Sequence, residues 1–100
     1  MFIVKTFKTK PDGVAWRTPQ LVAETGLTLG AWALTQDGVI STRTRKKGNN
    51  VTVTVNVFRD QAAYNAFVAV RDTNPEYIAR ITYEEANGIS TEIKKFQLVA

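Results

Sequence analysis

The chain has 100 residues, a formal net charge of +4, no cysteine and no histidine. This length predicts one domain over residues 1–100. The missing cysteines exclude disulfides and thiolate chemistry, and the missing histidines remove the commonest metal ligand and general base. No apolar run reaches the roughly 18 residues that a membrane span needs, so we expect no membrane partner and a cytoplasmic protein, in the host cytoplasm if it is viral.

The first predicted element is a strand over residues 1–10, which carries apolar residues on both of its faces. Such a pattern is typical of a central strand that is covered on each side. Pro11, Asp12 and Gly13 then predict a turn, because proline presets φ and glycine accepts a positive φ. A short extended piece over residues 14–17 follows.

The second predicted element is a helix over residues 18–36, with Thr18 as its N-cap and Pro19 at its first position. Two glycines weaken this prediction, since each costs about 1 kcal/mol relative to alanine inside a helix. The helix would be broken near Gly26. The alternative is a short helix followed by a strand over residues 27–35, where apolar and polar residues alternate.

Residues 39–47 and 51–58 predict two strands, joined by the turn Gly48-Asn49-Asn50. The second of these strands alternates valine with other residues along its length and ends at Phe58. Alternation of β-branched residues is the strongest signal for a strand that a single sequence offers. The two strands are therefore expected to pair as a hairpin.

Two consecutive helices are predicted over residues 60–72 and 75–87, with Asp60 and Asn74 as their N-caps. The second helix is expected to bury its apolar side and to expose its charged side. The expected buried side comprises Ile78, Ala79, Thr82, Tyr83 and Ala86, and the expected exposed side comprises Glu76, Arg80 and Glu84. A last strand over residues 90–99 completes the chain.

The predicted order is strand, helix, strand, strand, helix pair, strand, which is the split βαβ or ferredoxin-like layout. It predicts an α+β fold in which a four-stranded antiparallel sheet carries helices on one face. The other face would expose apolar residues of several strands, and a large apolar patch is unusual on a monomer. We therefore expect the chain's main partner to be a second copy of itself, bound through the open sheet face.

Two segments carry a resemblance to known proteins. Residues 56–67, NVFRDQAAYNAF, run from a strand into a helix with an aromatic-alanine-x-x-aromatic rhythm, and residues 87–96, NGISTEIKKF, enter the last strand. They resemble the dimeric α/β-barrel group, which includes the antibiotic-biosynthesis-monooxygenase-like and stress-responsive barrel families. The resemblance implies a sheet-to-sheet dimer that closes a barrel, but it transfers no catalytic residue. The ending is also similar to that of small uncharacterised proteins of tailed phages.

Candidate ligand-binding residues are aromatic and hydrogen-bonding. Trp32, Asn56, Tyr64 and Asn65 would suit a small aromatic ligand, as in a cofactor-independent oxygenase that binds an electron-rich ring, and Trp16 could join them. The alternative for Asn65, on a predicted helix, is an exposed position. A pocket above roughly 300 Å³ lined by these residues would support this hypothesis. The alternative is structural, because tryptophan in so small a domain more often lies in the core or an interface.

A basic cluster marks the tip of the predicted hairpin. It consists of Arg43, Arg45, Lys46 and Lys47. These side chains could contact nucleic-acid phosphates, or they could be a solvated edge whose charge blocks unwanted strand pairing. RNA-recognition domains share the fold layout but stack bases on aromatic residues of a middle strand. Valine and threonine occupy that strand here, which argues against this class.

Other catalytic patterns are missing from the sequence. Asp60, Glu84 and Glu85 form no recognisable acid/base pair, and no glycine-rich phosphate loop follows a strand. We expect no catalytic residue, no metal and no cofactor. The leading hypothesis is a homodimeric binding or structural module without catalysis. The alternatives are a cofactor-independent oxygenase or small-ligand-binding barrel, and a nucleic-acid binder.

Overall fold

A computed structural model describes residues 1–99 of the chain. Its elements follow in the order β1 (Phe2–Thr9), α1 (Leu29–Leu34), β2 (Val39–Lys46), β3 (Val51–Phe58), α2 (Gln61–Arg71), α3 (Pro75–Ala86) and β4 (Ser90–Gln97). The predicted α+β class and the ferredoxin-like layout are confirmed. None of the helices in the described part of the chain has the length and apolar character to cross a membrane.

The four strands form one antiparallel sheet in the order β2-β3-β1-β4. β1 is therefore central, as its apolar residues predicted. Phe2 of β1 lies opposite Phe58 of β3 and Gln97 of β4, so these three side chains lie on the same face of the sheet. Because side chains alternate between the two faces along a strand, this register assigns a face to all the other strand residues. The helices cover the face that contains Phe2 and Phe58, and the four valines of β3 lie on the open face.

The hydrophobic core lies where the sheet meets α1 and α2. Phe58 is its centre, with only 1% of its surface exposed. The Phe58 ring lies 5.2 Å from Tyr64 and 5.5 Å from Phe67, and Phe67 in turn lies 5.9 Å from Trp32. Aromatic pairs at these separations add about 0.5–1.5 kcal/mol each beyond area burial, so this cluster anchors α1 and α2 to β3.

Both predicted N-caps of the later helices are confirmed. The Asp60 carboxylate accepts a hydrogen bond from the Ala63 backbone N–H at 2.8 Å, where α2 begins. Asn74 accepts one from the Glu76 N–H at 2.9 Å, with Pro75 in the first turn of α3. A cap of this kind contributes about 1 kcal/mol to helix stability.

The helix predicted over residues 18–36 is confirmed only in its last part, after the expected break near Gly26, and the alternative strand over residues 27–35 is not formed. Residues 18–28 form neither a helix nor a strand, apart from an isolated bridge between Val22 and Leu27, and α1 occupies only Leu29–Leu34. The N-cap is Thr28, not Thr18. Gly26 and Glu24 both have positive φ, which interrupts helical geometry before α1.

The prediction for the two sides of α3 is also wrong, because the charged side faces inward. Glu76 and Glu84 are only 8% and 5% exposed, whereas Ile78 is 48% exposed. The physical reason is ion pairing: Glu76 binds Arg17 and Glu84 binds Lys8, so each buried carboxylate has a cationic partner. The interior between α3 and the sheet is consequently polar.

Candidate functional site

A half-open cavity of about 150 Å³ lies between the helix-covered face of the sheet and the helices. Its floor is built from all four strands of the sheet and is rich in threonine. The floor residues include Thr6, Thr42, Thr44, Thr54 and Asn56. The helices supply the walls, which include Leu29 and Trp32 from α1, Phe67 and Arg71 from α2, and Tyr77 and Arg80 from α3.

Asn56 contributes a buried polar atom without a partner to the floor. It lies on β3 between Val4 and Thr42 in the sheet register. Its Oδ1 is buried and has no hydrogen-bond partner. An unsatisfied buried acceptor costs about 1–3 kcal/mol. A ligand O–H or N–H that reaches Asn56 from the cavity would satisfy this oxygen.

The walls combine aromatic rings with cations. Trp32 is buried and packs against Phe67, while Arg71 lies over the Tyr77 ring, 4.5 Å from its centroid. Burial raises the pKa of the Tyr77 phenol above its ordinary value of 10.0. Tyr77 is therefore protonated at neutral pH and can donate a hydrogen bond.

A largely buried ionic network contributes Lys8, Arg80 and Thr91 to the cavity lining. Lys8 donates to Glu84 Oε1 at 2.6 Å and to Thr91 Oγ1 at 2.8 Å. Arg80 Nε donates to the other Glu84 oxygen at 3.2 Å. One carboxylate thus serves two cations. Arg71 also lines the cavity, but it is paired with Asp72 at 3.1 Å. The local charge balance is positive and favours an anionic ligand.

A wider cleft of about 510 Å³ adjoins the cavity and shares Leu29, Thr44 and Arg80 with it. Arg17 donates to both Glu76 oxygens, at 2.5 and 2.8 Å, on one side of this cleft. These hydrogen bonds hold the pKa of Glu76 below its ordinary value and raise the pKa of Arg17.

Trp16 lines the same cleft. Its indole Nε1 is buried without a hydrogen-bond partner. Lys10 Nζ lies 5.9 Å from the centroid of the Trp16 ring. The cleft therefore resembles the cavity in joining an aromatic surface to unsatisfied polar groups.

The structure brings two of the predicted pocket residues together. Trp32 and Asn56 both line the cavity, whereas Tyr64 lies in the core, with its ring 5.3 Å from Phe2 and 5.2 Å from Phe58. The cavity alone is smaller than the roughly 300 Å³ typical of ligand pockets, so it suits a single ring. A larger ligand would extend into the adjoining cleft.

Sequence reasoning missed the contribution of α3 and of the threonines. Tyr77, Arg71 and Arg80 were not predicted as site residues. The available signal was the threonine pattern of β2 and β3, since polar residues on the strand face that helices cover indicate an internal polar space. Thr44 and Thr54 also share a hydrogen bond of 2.8 Å across that face.

The basic cluster of the hairpin is divided between two faces. In the sheet register Arg43 and Arg45 lie on the open face and Lys46 lies on the helix-covered face. Arg45 and Lys46 both line the cleft. Lys47 follows the end of β2, and all four side chains are exposed. Within residues 1–99, no group of three or more carboxylates is placed to hold a metal ion.

No protein-family model matches the sequence, and no curated protein sequence matches it. Solved structures do match the fold. A conserved protein of unknown function from Bacteroides thetaiotaomicron, described as a possible oxidoreductase, superposes with a TM-score of 0.67 at 12% identity, over 97% of this chain and 96% of that chain.

SnoaB, a cofactor-independent oxygenase from Streptomyces nogalater, gives a TM-score of 0.55 at 16% identity over 99% of this chain and 94% of its own. A variant of SnoaB with one asparagine replaced by alanine gives 0.54 at 14% identity, over 97% and 92%. Identities this low establish the fold alone. The chain therefore has the α+β architecture of these proteins, an antiparallel four-stranded sheet with helices on one face.

Proposed function

We propose that the chain binds a hydroxylated aromatic molecule in the cavity and oxygenates it without a cofactor. The observation that carries this proposal is the unpartnered Asn56 carboxamide, which lies on the floor of a cavity walled by Trp32 and Tyr77. The rings offer stacking surfaces, and the carboxamide offers a fixed polar contact. The fold shared with a cofactor-independent oxygenase and a possible oxidoreductase supports the same function.

The positive charge of the cavity gives the chemistry a physical basis. Arg71 lines the cavity and would stabilise a phenolate, so a bound phenol would lose its proton more readily than in water. A phenolate-activated ring is a reductant for O₂. A ring CH₂ group becomes C=O, one oxygen atom enters the product, and the other leaves as water with both hydrogens. The substrate supplies all the electrons, so no cofactor is required.

Oxygen uptake tests this proposal, with 1,8-dihydroxyanthrone as the probe because its CH₂ group can become C=O. We expect the protein to accelerate uptake above the rate in buffer. Asn56→Leu should lower this acceleration by about tenfold or more, which corresponds to one lost hydrogen bond of about 1.4 kcal/mol or more. Asn65→Leu is the matched control, since Asn65 is exposed on α2.

Calorimetric titration separates binding from catalysis. Binding without accelerated uptake would contradict the oxygenase and leave a ligand-binding module. Absence of both binding and acceleration for phenols of one to three rings would contradict the whole proposal. An Asn56→Leu variant as active as the unsubstituted protein would remove the residue on which the proposal depends.

We also propose that a second copy covers the open sheet face. Ile3 and Phe7 are half-buried there, and Phe96 is 43% exposed. Arg45, Val53, Phe7 and Glu92 form one row across the strands. A two-fold axis parallel to the strands would place Arg45 against Glu92 of the second copy and Val53 against its Phe7. Such a row is self-complementary, as a two-fold interface requires.

A further inference from the structure

Arg80 occupies the junction between the cavity and the cleft, since it lines both. Its Nε donates to Glu84 Oε2 at 3.2 Å, while Lys8 occupies Oε1 of the same carboxylate at 2.6 Å. The guanidinium is therefore held by one edge. Among the hydrogen bonds of residues 1–99, neither Nη atom of Arg80 has a partner.

A guanidinium positioned in this way is suited to bind an anion. Its two Nη groups form a planar pair of donors that matches a carboxylate bidentately. Glu84 fixes the orientation of the fork before any ligand arrives, so less conformational freedom is lost on binding. The arginine differs in this respect from Arg17, whose two Nη groups are both occupied by Glu76.

The charges around the cleft point to the same kind of ligand. Glu76 and Glu84 line the cleft, but both carboxylates are already bound to Arg17, Lys8 and Arg80. Lys46 lines the cleft from β2, and within residues 1–99 no carboxylate lies within ion-pair distance of it. An incoming anion would therefore meet unpaired positive charge and little competition from acidic side chains.

Resting on the proposed function, we propose that the substrate is an aromatic acid that spans both spaces. Its hydroxylated ring lies in the cavity beside Asn56, and a carboxylate at the far end of the molecule binds the free Nη groups of Arg80 at the entrance to the cleft. The small volume of the cavity is consistent with this division, since one ring fills it and the rest must lie outside. Arg80 then determines specificity for acids over neutral rings.

Calorimetry with a matched pair of probes tests this inference. 6-Hydroxy-2-naphthoate carries its hydroxyl and carboxylate at opposite ends, and its methyl ester lacks the negative charge. We expect the acid to bind about tenfold or more tighter than the ester, as is typical of a charge-assisted hydrogen bond. Arg80→Met should abolish this preference while leaving the affinity for the ester within about threefold.

Two further variants separate charge and folding from recognition. Arg80→Lys keeps the charge but not the planar fork, so it should retain only part of the preference for the acid. Arg59→Met is the control, because Arg59 is an exposed arginine that lines neither space. Thermal unfolding of Arg80→Met by circular dichroism shows whether the variant retains the folded state.

The outcomes distinguish this inference from the proposed function. Equal affinity of the unsubstituted protein for acid and ester would overturn the inference and leave the cavity as a site for neutral phenols. A preference for the acid that survives in folded Arg80→Met would also overturn it. Binding of neither probe would contradict the proposed function itself.

Discussion

Lys8, near the end of the central strand β1, donates to Glu84 of α3 across 2.6 Å, and the two side chains are each only 7% exposed. The pair joins residues 76 positions apart in the chain. It links a strand of the cavity floor to a helix of the cavity wall. The same contact explains why α3 turns its charged side inward, because Glu84 could not be buried without a cation.

Lys8→Met should lower the free energy of unfolding by about 3 kcal/mol, since it leaves the buried Glu84 carboxylate without its closer cation. Because Arg80 remains beside Glu84, the decrease in the free energy of unfolding should lie at the lower end of the values typical of broken buried ion pairs. Urea unfolding at neutral pH measures the change. Glu85→Gln is the control and should change the value by less than about 0.5 kcal/mol, because Glu85 is exposed.

The double variant Lys8→Met/Glu84→Leu tests whether the two residues act as a pair. It should be less destabilising than the sum of the single variants, since an apolar pair of similar volume replaces the buried charges. Strict additivity of the two single losses would show that the 2.6 Å contact contributes no coupling energy.

The Arg17–Glu76 pair predicts a specific dependence of stability on acid. The folded pKa of Glu76 lies below its ordinary value of 4.5, because Arg17 hydrogen-bonds the charged form. The folded state therefore binds fewer protons than the unfolded chain between the two pKa values. The ionised Glu76 carboxylate therefore makes its full contribution to the free energy of unfolding above about pH 4.5. This contribution is lost as the pH falls through the folded pKa.

Glu76→Gln should therefore destabilise the protein by about 1–3 kcal/mol at neutral pH and by much less in acid. Urea unfolding at several pH values below neutrality measures this difference. Glu85 is an exposed glutamate of the same helix. In Glu85→Gln the free energy of unfolding should therefore change with pH as steeply as in the unsubstituted protein. If the free energy of unfolding of Glu76→Gln fell with pH in parallel with that of the unsubstituted protein, the pH dependence could not be assigned to the Arg17–Glu76 pair.

Local signals predicted most of the fold from the sequence. The alternation of Val51–Phe58 and the caps Asp60 and Asn74 specify their elements through contacts within a few residues, and each lies where predicted. Residues 18–28 carry a local helix-start signal in Thr18 and Pro19, but contacts with α3 override it, namely the neighbouring Arg17–Glu76 pair and the hydrogen bond from Gln20 N to Glu76. Long-range ion pairs of this kind leave no periodic trace in a sequence.

The candidate site was only half predictable for the same reason. Trp32 and Asn56 are large or polar residues on predicted elements, so they stand out as site candidates. Arg80 does not, because its spacing from Glu84 is also that of a solvated helix pair. Only the buried Lys8 on β1 shows that this side of α3 faces inward.

Gly38 should be intolerant of a side chain for two separate reasons. Its φ is +78°, and a Cβ built there would collide with the Ala63 Cβ in the first turn of α2. Gly38→Ala should therefore destabilise by about 2 kcal/mol or more. Gly48→Ala is the matched control: its φ is +81° but its surroundings are open, so it should lose only about 1 kcal/mol. Thermal or urea unfolding measures the stability of both variants. Equal losses of stability would show that backbone strain alone, and not the collision with Ala63, causes the effect at Gly38.

The charges of the open face predict how self-association responds to salt. Its strands carry four cations, Lys5, Arg43, Arg45 and Lys94, and one anion, Glu92. Two such faces repel each other, so screening should tighten the dimer as NaCl rises from about 0.05 to about 0.5 M. Sedimentation equilibrium measures the dissociation constant. Nucleic-acid binding by the same arginines would weaken over this range instead.

Two arginine variants test the arrangement of the two copies, because the proposed two-fold axis gives them opposite roles. Arg43 shares a row with Lys5 and Lys94, so Arg43→Gln removes a repulsion and should tighten the dimer. Arg45 would face Glu92 of the second copy, so Arg45→Gln should weaken it. For a nucleic-acid surface both substitutions would weaken binding. If both variants shifted the dissociation constant of the dimer in the same direction, this axis would be excluded. Under this axis only the row that contains Arg45 and Glu92 places opposite charges against each other.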